Sequence, residues 1–327
     1  MNGLAGGTIS DDLQVRALHP HRRKPYRVVA GGLTFFCGKL PELLGNEQWD
    51  IRDRSQRTPA HIAGLLRDLP GCDLAYSWAG RINMGKFLWA ARCFGVRKVV
   101  LFWCGSDVLH AKHLLAQGKL DPWVASQIHW AASPSLAEEV RSLGLRCEFV
   151  QASFVDPVAL PKPLPEKFSV LVFMPRADRG ELYGWDRILQ VAKSLPSVDF
   201  QLVGLHAGQT LQGPKNLSVH YFTDNLTPFY EKTTVLWRPV RHDAGVSFMV
   251  LEALAHGRHV LYTYPIQGAK QVQDAAEAKQ QLENLRARHE ARTLSLNHAG
   301  IQSISTTFAK DVVRAELHRR WEEIILS

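Results

Sequence analysis

The chain has 327 residues, of which 46% are hydrophobic and 21% charged. That balance excludes a chain disordered throughout and gives enough length for about two domains with real cores. The net charge of +8 is uneven: residues 1–164 carry 20 Lys and Arg against 14 Asp and Glu, residues 165–327 carry 19 against 17. The excess either keeps the protein in solution or favours an anionic partner for the first half.

In chain order, Tyr26–Ala30, Cys72–Trp78 and Lys98–Trp103 read as strands, the last a nearly unbroken apolar run of the kind buried in parallel sheets. Helical patterns fall between and after them at Ala60–Leu69, Met84–Phe94 and Ser135–Leu143. Residues 151–167 break the rhythm with Pro157, Pro161, Pro163 and Pro165, a stiff linker candidate. The alternation restarts with strand Phe168–Met174, helix Trp185–Leu195, and strands Val198–Gly204, Leu217–Phe222 and Thr233–Trp237. Helix Ser247–His256, strand His259–Thr263 and helices over Val272–Arg292 and Thr306–Ile325 complete the chain.

The expected fold class is therefore α/β, two Rossmann-like doubly wound domains facing a central cleft. Ligands of such sheets bind beyond the carboxyl ends of the strands, here the loops after Ala30, Trp103, Met174, Gly204 and Trp237.

The most informative stretch is Arg238-Pro-Val-Arg-His-Asp-Ala-Gly-Val-Ser-Phe-Met-Val-Leu-Glu-Ala-Leu-Ala-His-Gly257. Its pattern predicts a helix beginning near Gly245, whose free N–H groups at Gly245, Val246 and Ser247 form an anion site. Ser247 either adds a hydroxyl donor or serves ordinary first-turn chemistry. Glu252 sits in the middle of an otherwise apolar helix and must find a partner. Seven residues of helix put it roughly 10 Å from Gly245, which suits phosphates at the tip and ribose hydroxyls at Glu252. The alternative partner for Glu252 is an internal arginine. Arg176 and Arg179 follow the strand end at Met174 and suit a pyrophosphate, Arg176 the more so, with Arg238 and Arg241 weaker candidates. Gly204 closes its strand and permits close approach of a ligand or simply a turn.

With these residues in view, the second half resembles the donor domain of GT-B glycosyltransferases, in particular the family-4 (group 1) retaining class. The resemblance rests on the segment from Gly245 to Val260, the arginine-bearing loop before it and the Tyr183-Gly184 helix start. It implies an acceptor-side domain over 1–160, a nucleotide-sugar domain over 161–305, and a last helix over 306–327 packing back on the first domain. It further implies hexosyl transfer with retention in polysaccharide or glycoconjugate synthesis. The donor would be a nucleoside-diphosphate sugar, and the acceptor a glycan, a lipid-linked sugar or a small molecule. No metal and no other cofactor is expected, in keeping with the lack of any Asp-x-Asp.

The sequence departs from the class pattern at two places. Ala244 stands where the class has a second glutamate, with His242 and Asp243 just before it, and Tyr183 lies near the place of a usual lysine. Asp243 is then one candidate catalytic group, and a catalytically weak homologue that binds a nucleotide-sugar or a partner enzyme is the alternative reading.

In the first half, Gly31-Gly32 after the first strand forms a cleft loop, or a tight turn, without dinucleotide-fingerprint spacing. Asp107, after Trp103, either caps a helix with Ser106 or handles an acceptor proton as the second catalytic candidate. His110 and His113 share a helix face but have no third ligand. Lys86, Arg52, Arg54, Arg57 and Arg67 would hold a phosphorylated or lipid-linked acceptor at an anionic membrane if they cluster. A nucleic-acid partner is not expected, because no binding module is recognisable.

Cys37, Cys72, Cys93, Cys104 and Cys147 contain no C-x-x-C pair and read as reduced thiols. Residues 1–25 are polar with no leader-like apolar core, and no run reaches the ~20 residues of a membrane span. The expected location is the cytoplasm, with peripheral membrane contact.

Overall fold

The structure is a computed structural model that describes residues 24–327, so nearly all of the segment read as leader-free lies outside the described residues. Its frame is two six-stranded parallel sheets. The first contains β1 (Tyr26–Gly32), β2 (Trp49–Asp53), β3 (Leu74–Trp78), β4 (Val99–Trp103), β5 (Ile128–Ala131) and β6 (Cys147–Phe149), in spatial order β2-β1-β3-β4-β5-β6. Helices α1 (Thr34–Leu44), α2 (Pro59–Asp68), α3 (Lys86–Cys93), α4 (Asp107–Ala116), α5 (Pro122–Ala125) and α6 (Pro134–Arg141) connect them. Every residue of β3 and of β4 is buried, as strands covered on both faces require. Local chemistry sets several boundaries: Thr58 and Ser133 each accept an amide of the first helical turn, with proline at the next position of both helices.

The second sheet runs β12-β11-β10-β7-β8-β9. Its strands are β7 (Ser169–Phe173), β8 (Asp199–Leu205), β9 (Leu217–Tyr221), β10 (Val235–Arg238), β11 (His259–Tyr262) and β12 (Lys270–Gln271). Helices α7 (Trp185–Ser194), α8 (Thr227–Glu231), α9 (Phe248–Ala255) and α10 (Ala275–Glu290) cover it. The chain then passes through α11 (His298–Ser303) and a π-helical turn at Ile304–Phe308 into α12 (Lys310–Leu326). The expected single helix from Thr306 is thus two pieces, with Ala309 extended between them.

On α12, Val313, Leu317, Trp321 and Ile324 form one apolar stripe, and it is buried in the core of the first sheet. Trp321 meets the rings of Trp49 and Tyr76 at 5.4 and 5.2 Å between centroids. The chain therefore passes from the first half to the second near residues 150–168 and returns near 304–309. The two crossings touch, through Val155 N–H donating to the Phe308 carbonyl at 2.9 Å.

Candidate functional site

The loops that follow β4 and β5 meet the loop that follows β10. Gly105, at φ +125°, lies so close to Ala244 that a Cβ there would stand 3.0 Å from the Ala244 nitrogen. Gly245, at φ +82°, rests on Ser133, and a Cβ would stand 2.5 Å from its hydroxyl. His242 Nε2 is 3.2 Å from the Glu139 carboxylate of α6. Phe248, the first residue of α9, packs its ring at 6.2, 5.8 and 6.3 Å from those of Phe35, Phe36 and Phe154.

The left-handed turn at Gly245 delays the helix, which starts at Phe248 and not near Gly245 as expected. Ser247 is the N-cap, yet its hydroxyl does not cap the helix. Among the described residues, the N–H groups of Gly245, Val246 and Ser247 donate to no protein acceptor. They lie at the interface between the halves, where Gly245 and Ser247 are buried and Val246 is partly exposed.

One turn into α9, Glu252 is half-buried and accepts a hydrogen bond from the Tyr230 hydroxyl at 2.7 Å. Its partner is thus a tyrosine of α8, not an internal arginine. Burial pushes its carboxyl pKa above the ordinary value, while the Tyr230 bond and nearby Lys39 act in the opposite sense. Glu252, Tyr230, His256, Phe248 and Lys39 line a cavity of about 330 Å³ reached from the linker side by Phe154.

Asp243 has both carboxylate oxygens occupied. Oδ2 accepts from Arg238 Nε at 3.0 Å, Arg238 Nη2 at 2.7 Å and the Tyr262 hydroxyl at 3.0 Å, and Oδ1 accepts the Ala244 N–H. This is the environment of a counter-ion rather than of a group free to move a proton. Arg238 is buried between the rings of Phe173 and Tyr183, 5.5 and 5.6 Å from its guanidinium carbon. Burial opposes its charge, but Asp243 more than offsets this and holds the guanidinium above its usual range. Its Nη1 is buried without a protein partner among the described residues. Arg238, ranked low from sequence, is thus the arginine placed beside the loop that leads to the helix tip.

Asp107 is likewise engaged. Its carboxylate accepts the amides of Gly80 and Cys104 at 2.8 and 3.0 Å and of Val108 at 3.1 Å, tying the loops after β3 and β4 together. Desolvation raises its pKa, and these amides pull it back. Burial also pushes the Cys104 thiol well up, the opposite of a reactive cysteine.

Arg176 is exposed and bonds Asp178 of its own short 3₁₀ turn at 2.9 Å, and Arg179 is exposed in the same turn. Neither lines the Glu252 cavity. Gly204 lies inside β8, not at its end, at a register shift between Leu202 and Leu205. Its φ of +98° and the Phe173 ring against its Cα account for the glycine. Gly31 and Gly32 border a second cavity in the first half. No three His, Cys, Asp or Glu side chains among the described residues are grouped to hold a metal ion.

Neither a family model nor a curated protein matches the chain by sequence. Solved structures do match in shape. HepE from Anabaena in complex with UDP-glucose superposes with a TM-score of 0.64 at 12% identity, over 91% of this chain and 99% of that one. A glycosyltransferase from Rickettsia africae gives 0.61 at 10%, over 92% and 99%. The pneumococcal O-GlcNAc transferase GtfA, in complex with UDP and GlcNAc, gives 0.58 at 11%, over 82% of this chain and 60% of that one. The chain thus spans less than two thirds of the length of GtfA.

The chain has the GT-B fold. Its two sheets, their order and the clasped loops between them form the GT-B arrangement of two facing domains. Sequence reading missed Tyr230 as the Glu252 partner, because 22 residues separate them and nothing in the segment around Tyr230 marks its hydroxyl.

Proposed function

We propose that this protein transfers a hexosyl group from a nucleoside-diphosphate sugar to an acceptor bound between its two domains, with retention at the anomeric carbon. The observation that carries the reading is the pairing on α9 of an unfilled amide tip with a half-buried carboxylate one turn away, facing a cavity. The amides of Gly245, Val246 and Ser247 would hold the diphosphate and stabilise the charge that builds as the glycosidic bond breaks. The orphaned Nη1 of Arg238 is the nearby cation for that charge, with Asp243 fixing its orientation. Arg176 and Arg179 belong to the rim of the donor site in this reading, where the exposed Arg176 exchanges Asp178 for a phosphate. Glu252 would accept the ribose hydroxyls, and closure of the domains would exclude water. HepE and GtfA were each solved with a uridine nucleotide, which makes UDP the first donor nucleotide to test.

Thermal unfolding and calorimetric titration with UDP, GDP and ADP test this. UDP is expected to raise the melting temperature, and Glu252→Gln to weaken binding about tenfold, the worth of one hydrogen bond to a charged group. The ionised carboxylate is the stronger acceptor of the two hydroxyls, and burial raises its pKa above the ordinary value, so wild-type affinity should fall as pH drops toward that raised value. The Gln variant should lose this dependence. Equal affinity in both proteins at neutral pH removes Glu252 from the site.

A second reading is a nucleotide-sugar binder without turnover, favoured by Ala244. Ala244 is buried in the core of the first half and carries no carboxylate that could reach a sugar. UDP binding without sugar transfer or donor hydrolysis, followed by chromatography, would establish that reading.

A further inference from the structure

A cavity of about 580 Å³ opens at the carboxyl ends of β1, β2 and β3, bordered by Gly31 and Gly32, the loop after β2, α2 and the start of α3. Arg54, Arg57, Arg81, Lys86 and His61 line it, and no carboxylate does. Arg54 is already neutralised by Asp68, whose carboxylate accepts from its Nε at 2.9 Å. The other cations are not. Arg81 is half-buried, and among the described residues its guanidinium bonds only the Asn83 side-chain oxygen, at 2.9 and 3.2 Å, while lying against the Gly85 Cα. Arg57 and Lys86 stand exposed at the rim, with no ion pair among the described residues. A desolvated charge without a counter-ion is costly, and an entering anion would supply the missing partner. Between these cations the wall is apolar: Ile62, Leu65, Met84 and Phe87.

The basic residues expected to act together are in fact divided. Arg52 pairs with Asp50 and Arg67 with Asp68, and neither lines this cavity. Arg81, which the sequence reading did not single out, takes the central place.

We propose that this cavity is the acceptor site and that it selects an acceptor bearing a phosphate or carboxylate beside an apolar portion. The proposal rests on the transfer reading above, since it names the substrate class of the domain facing the donor. Phosphate chemistry is shared by lipid phosphates and free phosphosugars, and the probes test that shared chemistry together with the apolar contact.

The test is calorimetric titration of the intact protein with hexyl phosphate, inorganic phosphate and hexyl glucoside, with and without UDP. Hexyl phosphate should bind at least tenfold more tightly than hexyl glucoside. Arg81→Gln, and separately Arg57→Gln with Lys86→Gln at exposed positions that do not threaten folding, should each lower hexyl phosphate affinity tenfold or more. UDP affinity should stay within twofold in all variants. Tighter binding of hexyl phosphate than of inorganic phosphate would support an acceptor whose apolar portion meets Ile62, Leu65, Met84 and Phe87, and equal binding would overturn that half of the proposal. Equal binding of hexyl glucoside, unchanged affinity in both variants, or displacement of hexyl phosphate by UDP would each overturn the proposal. If UDP fails to bind while hexyl phosphate binds through Arg81, the transfer reading falls and the anion cavity stands.

Discussion

Arg238 and Asp243 form a buried pair that is costly to break. Both lie in the second half, the arginine at the end of β10 and the aspartate five residues on, and Tyr262 completes the aspartate's shell. Removing one member leaves the other charge buried and uncompensated, so Arg238→Ala should cost about 3–5 kcal/mol in urea unfolding. Replacing both, with Arg238→Met and Asp243→Leu, should recover most of it. A loss below about 1 kcal/mol in the single variant would show that water reaches Asp243. Little of this was legible beforehand. A charged residue after an apolar strand reads as the start of a loop, and the rings of Phe173 and Tyr183, which sandwich it, come from segments more than 50 positions away. Glu252 was legible because a lone carboxylate in an apolar helix poses its own question, and only the identity of its answer, Tyr230, was hidden.

The strands with continuous apolar runs, such as β4 and β7, were legible nearly to the residue, since burial on both faces leaves no other pattern. Among the marginal strands β9 was legible, but β2, β6 and β12 were not. The strand β2 reads Trp-Asp-Ile-Arg-Asp, three of its five residues charged, and β6 has three residues, two of them exposed. Pairing with β1 and β5 makes them strands, and that information is tertiary. The start of α9 was misplaced for a local reason: Gly245 reads as a helix-permissive residue, but its left-handed φ turns the chain before the helix can begin. The closing helix α12 makes the clearest prediction at this scale. Trp321 is wholly buried between Trp49 and Tyr76, and Trp321→Ala should cost about 3–5 kcal/mol by denaturant unfolding. A small loss there would mean that the first core closes without α12.

Across the whole molecule, the halves are held by few contacts: the loop seats at Gly105 and Ser133, the Glu139–His242 pair and the ring cluster around Phe248. Phe248→Ala removes the apolar part of this clasp. Small-angle scattering should then give a larger radius of gyration than for the unaltered protein. An identical radius would assign the clasp to the polar loops alone. The two crossings lie side by side, joined by the Val155–Phe308 hydrogen bond. No helix among the described residues is long and apolar enough to cross a membrane.

The return of α12 to the first sheet also fixes an order of events on the ribosome. Residues 26–152 emerge with Trp49, Tyr76 and Leu44 facing a slot that Val313, Leu317, Trp321 and Ile324 later fill. At about 5–20 residues per second, translation of the intervening stretch leaves that slot open for some ten seconds or more. The amino-terminal half therefore waits, greasy side uncovered, for a helix made much later, and any nascent-chain chaperone that attends this protein should be found there.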